Sequence, residues 1–128
     1  MAIKIHALLC LGLVLRLMSV ASAISGTATY NTIYYPSACY GNEDEGVMIA
    51  AASDDLWDDG AACGRMYTVT CTGPTNQGVP QACRDQVTVK IVDRCQSPQC
   101  QATLDLSQEA FSVIADPNAG KITIDYNQ

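Results

Sequence analysis

The sequence predicts one small, mainly β domain with a single short helix, stapled by disulfides. Three observations predict it. Short segments of alternating or β-branched residues recur along the chain, separated by turn residues. One segment carries helix start and stop signals. Six cysteines remain once a secretory leader is set aside, an even number in a short exported chain.

Met1 to Ala23 reads as that leader. Lys4 supplies a positive start, Ala7 to Leu15 a short apolar core, and Ala21-Ser-Ala23 a small-x-small cleavage site. The apolar core is too short to span a bilayer, and Arg16 interrupts it. The expected mature domain is 24–128, secreted and without membrane insertion. Removing the leader takes Cys10 and His6 with it, so the mature domain has no histidine. Loss of Lys4 and Arg16 leaves five basic residues against thirteen acids, a net charge of −8. That balance argues against nucleic acid and anionic membranes as partners. No cofactor is expected. Nor is a metal, because there is no Cys-x-x-Cys pair and no histidine to complete a zinc set.

The strands follow in order. Thr27 to Tyr30 opens the domain. Val47 to Ala52 is an apolar run, either a strand or a turn-bounded core segment. Cys63 to Cys71 alternates, with Tyr67, Val69 and Cys71 on one face and Met66, Thr68 and Thr70 on the other. Val87 to Val92 is β-branched, and Lys121 to Tyr126 closes the chain in the same style. Turns are expected at Gly73-Pro74, Gln77-Gly78 and Asn118-Ala-Gly120. The helix begins after Ser107, its candidate N-cap, with Glu109 in the first turn. Leu106 and Phe111 have hydrophobic-staple spacing. Asp116-Pro117 ends it, because a residue before proline resists helical geometry.

Six cysteines allow fifteen connectivities. Sequential pairing is the preferred arrangement: Cys39–Cys63, Cys71–Cys83 and Cys95–Cys100. Cys95 and Cys100 flank a four-residue turn, and Cys71 and Cys83 flank a Gly/Pro-rich loop.

The lack of histidine excludes Ser-His and Cys-His nucleophiles from the mature domain. Carboxylates remain. Asp105 lies between leucines just before the helix and is either a partly desolvated acid or a structural acceptor. Asp93 follows a strand, with Arg94 and a bridge cysteine as local partners. Trp57 stands between two acidic pairs, as an exposed platform or a core plug. Tyr30, Tyr34, Tyr35 and Tyr40 cluster early and either line a sugar-stacking groove or pack on the sheet.

An ordered set of motifs runs along the mature chain: Gly26-Thr-Ala-Thr-Tyr30, Ser37-Ala-Cys-Tyr-Gly41, Met48-Ile-Ala-Ala-Ala52, Asp59-Gly-Ala-Ala-Cys-Gly64, Val89-Lys-Ile-Val-Asp-Arg-Cys95 and Leu104-Asp-Leu-Ser-Gln-Glu-Ala-Phe111. In these motifs the chain resembles the first domain of expansins. More closely it resembles the plant natriuretic peptides, or endoglucanase-45-like domain proteins, and it is related to barwin. The resemblance implies a six-stranded double-psi β-barrel with one short helix before the last strand. It implies a secreted, non-enzymatic apoplastic protein acting on water and solute balance, with a cell-surface receptor as partner and an active segment between Tyr35 and Tyr67. The alternatives are a wall-polysaccharide binder or loosener, with Asp105, Asp93, Tyr30 and Trp57 in its groove, and a barwin-like defence protein that binds sugars. A monomer is expected.

The departures from the expansin pattern also carry expectations. The slots of the expansin His-Phe-Asp motif hold Thr103, Leu104 and Asp105, so the acid is kept and the histidine is not. The stretch Tyr30 to Tyr35, where related endoglucanases carry a second acid, has none. Cys63-Gly-Arg-Met66 replaces a Cys-Gly-x-Cys motif, so one family bridge is missing. The sequence ends at Gln128 just after its last strand, so the second expansin domain is expected to be absent.

Overall fold

The structure is a computed structural model and describes residues 22–128. The leader assigned to 1–23 lies almost wholly outside the described residues. Six strands close a barrel in the order β1-β5-β2-β4-β3-β6. They are β1 (Ile24–Asn31), β2 (Ile49–Ser53), β3 (Met66–Pro74), β4 (Gln86–Cys95), β5 (Leu104–Ser107) and β6 (Ile122–Asn127). β1 runs parallel to β5 and β2 parallel to β4, while the other four pairings are antiparallel. Two helices accompany them, α1 (Asp54–Trp57) and α2 (Gln108–Ile114).

Alternation decides what fills the barrel. Ala28, Val69, Val89, Ile91, Leu104, Leu106, Ile122 and Ile124 point inward and are buried. α2 closes one side of this core with Ala110, Phe111 and Ile114. Leu106 and Phe111, at staple spacing, are both fully buried. Phe111 is the largest fully buried side chain, and the Tyr30 ring lies against it at 4.8 Å between centroids.

The helix start follows its sequence signal. The Ser107 hydroxyl accepts the Ala110 N–H at 3.0 Å and donates to the Val47 carbonyl. One side chain thus caps α2 and ties it to the segment entering β2. Ser107→Ala should cost about 1–2 kcal/mol, read from urea denaturation, since a cap and a second hydrogen bond go together.

Several boundaries differ from the sequence reading: the turn expected at Gly73-Pro74, for one, lies inside β3, where these residues pair with Thr123 and Ile122 of β6. The strand expected from Cys63 begins at Met66, because Gly64 holds φ +85° and Cys63 closes a turn onto Gly60. The apolar run Val47 to Ala52 enters its strand only at Ile49, leaving Val47 and Met48 exposed. One strand, β5, was expected only through the resemblance. The bridges are Cys39–Cys63, Cys71–Cys83 and Cys95–Cys100. Cys39–Cys63 ties the long connection between β1 and β2 to the turn before β3, and Cys71–Cys83 spans the loop between β3 and β4.

Candidate functional site: an open cleft across β1, β5, β2 and β4

The strand order places three distant segments side by side. Ala51 on β2 pairs with Asp105 of β5 on one side and with Asp93 of β4 on the other. The two acids therefore share the outer face of the sheet. Their Cα atoms stand two strand spacings apart, about 10 Å. Between them on β2 lies Ala51, itself almost wholly covered, so the depression is shallow here. Asn31, Ile33, Tyr34 and Ile49 extend the lining, and the empty volume is about 230 Å³ including its open side.

Asp105 is held from β1. The Thr29 hydroxyl donates to its Oδ1 and the Asn31 amide to its Oδ2, both at 2.8 Å. Thr29 and Asn31 sit opposite β5 because β1 and β5 pair in parallel, Thr29 with Asp105 and Asn31 with Ser107. The flanking Leu104 and Leu106 point into the barrel, so they do not form the surroundings of the carboxylate. Both oxygens of Asp105 act as acceptors, which suits a polar anchor.

Asp93 is held differently. Its Oδ1 accepts the backbone N–H groups of Ala38 and Arg94, each at 2.9 Å. It thereby pins the loop beside Cys39 to the edge of the cleft, next to the Cys39 N–H bond to the Val92 carbonyl. The Arg94 guanidinium turns away and binds Asp54 at 2.8 Å. That bond, with the Ser97 N–H, holds the Asp54 carboxyl below its ordinary range.

Tyr34 forms the far wall. Its hydroxyl donates to Glu109 at 2.5 Å and accepts the Gln108 N–H. Burial, and then the bond to Glu109, raise the phenol above its usual value.

The cleft takes up two of the four candidate residues, Asp105 and Asp93. Tyr30 is on the other face of β1. It is paired with Leu106, packed on Phe111, and donates its hydroxyl to the Pro117 carbonyl at 3.2 Å. The alternation that turns Thr29 and Asn31 outward turns Tyr30 inward. Trp57 lies at the end of α1, half-buried against the core, with the Arg94 guanidinium 6.0 Å from its ring centroid. Neither lines the cleft. Thr29, Asn31 and Ala51 were not singled out from the sequence. Their signal was the i, i+2 spacing of polar side chains on β1 and a run of alanines where a bulky strand residue is usual.

Among the described residues, no group of three or more His, Cys, Asp or Glu side chains is placed to hold a metal ion. None of their helices is long and apolar enough to cross a membrane.

Residues 49–126 match the family model described as lytic transglycolase. Over 112 residues the chain is 59% identical to an EG45-like domain containing protein of Citrus jambhiri, covering 86% of this chain and 85% of that protein. The chain belongs to the EG45-like domain proteins. This EG45-like domain is also 32% identical over 92 residues to Expansin-B4 of Arabidopsis thaliana, covering 63% of this chain and 33% of that protein. Its barrel is the double-psi barrel of the expansins. The apo expansin of Clavibacter michiganensis superposes with a TM-score of 0.65 at 28% identity, covering 83% of this chain. A mutant of that expansin in complex with cellohexaose gives 0.61 at 31% identity over the same share. The EG45-like domain spans half the length of both expansin chains.

Proposed function

We propose that this EG45-like domain is a secreted, non-hydrolytic module that binds neutral cell-wall polysaccharide through the Asp105–Ala51–Asp93 cleft. The observation that carries the reading is the grip of Thr29 and Asn31 on both oxygens of Asp105, at the side of a shallow, open-sided cleft. A fixed carboxylate that keeps further lone pairs accepts sugar hydroxyls. The expansin relationship and the cellohexaose complex of a structural neighbour support the ligand class.

The same geometry argues against hydrolysis. An inverting glycosidase needs one carboxyl to protonate the leaving oxygen and another to activate water. Here Asp105 accepts two side-chain donors, and Asp93 is engaged in holding a loop. The group beside Asp105 on β1 is the amide of Asn31, which cannot serve as a base. Signalling in water and solute balance through a receptor becomes the second reading. The expansin relationship and the cellohexaose-bound structural neighbour favour the polysaccharide reading over it.

Asp105→Asn tests the proposal. Exchanging a charged acceptor for an amide should weaken cellohexaose binding by about tenfold or more, measured by calorimetry. Neither protein should release reducing sugar. A wild-type domain with no affinity for any wall glycan would sink the reading.

A further inference from the structure

A second depression lies on the same face, further along the strands. It is lined by Thr27 of β1, Ser53 of β2, Thr103, Asp55, Ser97 and Gln101, with an empty volume of about 610 Å³ including open solvent. Ser53 is two residues beyond Ala51 on β2, which moves it about 7 Å along the strand on the same side of the sheet. Thr27 is two residues before Thr29 on β1, and Thr103 two before Asp105. The two depressions are therefore successive stations on one sheet face.

The hydroxyls of this second station are set to donate. The Thr103 hydroxyl accepts the Thr27 N–H at 3.0 Å, and the Thr27 hydroxyl accepts the Thr103 N–H at 3.3 Å. Each oxygen is fixed by the other residue's backbone, and neither hydroxyl donates to another described residue. Ser53 stands at the N-cap of α1 but makes no capping bond with its side chain. Asp55 adds an acceptor at the rim. No Lys or Arg lines either depression, whereas Asp93, Asp105, Asp54 and Asp55 do. Arg94 is paired with Asp54, but Asp55, Asp93 and Asp105 have no ion-pair partner among the described residues. The track therefore stays net acidic and repels polyuronates, and fixed donors beside an acceptor match the vicinal hydroxyls of an uncharged sugar.

We infer that Thr27, Ser53 and Thr103 form a second sugar subsite, so that the ligand is an unbranched neutral glycan lying along both depressions. This rests on the polysaccharide-binding reading above and adds ligand length and a second set of contacts to it. A glycan reaching both stations gains hydrogen bonds that a short one lacks.

The experiment compares cellotriose, cellohexaose and a trigalacturonate by calorimetry on the wild-type domain and on Ser53→Ala and Thr103→Val. Ser53→Ala touches no bond within the fold, and thermal melting checks both variants. Wild type should bind cellohexaose at least about fivefold more tightly than cellotriose, and should not bind trigalacturonate. Each variant should lose about fivefold for cellohexaose and leave cellotriose unchanged. Equal affinity for the two neutral oligomers, equal losses for both, or a response to trigalacturonate would overturn the inference while leaving glycan binding at the first cleft intact. If neither neutral oligomer binds wild type, both readings fall.

Discussion

Phe111→Ala should remove about 3–5 kcal/mol of stability, the expected loss for truncating a fully buried aromatic that its surroundings cannot replace. Two costs add. The apolar surface of the ring no longer leaves water on folding, and a void opens between α2 and the barrel. Tyr30 loses the tilted ring contact it makes with Phe111 at the same time. A small domain holds only about 5–15 kcal/mol in total, so the melting temperature should fall by more than about 10 °C. Chemical denaturation of purified protein gives the number. A loss below about 1 kcal/mol would mean the core collapses around the gap and that α2 is not its closing element.

Opening the Cys39–Cys63 bridge with paired serine substitutions should cost about 3 kcal/mol. Its partners lie 24 residues apart, and in the chain-entropy account a loop of that size restricts the unfolded chain by about that amount. The bridge also carries a local duty. It holds the segment that brings Tyr34 to α2 and the Ala38 N–H to Asp93. Amide exchange should rise first between Ile33 and Gly46, while the pairing of β1 with β6 stays protected. Uniform loss of protection across the barrel would show instead that the bridge acts only through the unfolded chain.

Most of the architecture was legible because its signals are local. Alternation placed Tyr67 and Val69 inside, and Ser107 with Pro117 bounded the helix closely. The site was legible only in part. Asp105 stood out as an acid between leucines, and Asp93 as an acid directly after an apolar strand. Their meeting over Ala51 depends on β2 lying between β4 and β5, a non-local pairing that no residue spacing encodes. β5 carries no strand signal of its own, since Leu104-Asp-Leu-Ser107 is short and merges into the helix start. Tyr30 illustrates the converse. Its aromatic type suggested a sugar platform, but its parity on β1 sends it to Phe111.

The strand order also has a temporal meaning. β1 pairs only with β5 and β6, β2 only with β4 and β5, and β3 only with β4 and β6. No strand from the first seventy-four residues finds a neighbour within that stretch. During synthesis, at about 5–20 residues per second, the N-terminal half waits for seconds with its backbone edges unpaired. A peptide cut from that half, such as 35–67, would take with it β2 and neither of that strand's two partners. Asp105 arrives late, on the strand that joins β1 to β2, so the cleft is among the last features of the molecule to exist. Until then β1 and β2 are open templates, and a chain halted before Leu104 would be prone to pair with its own copies.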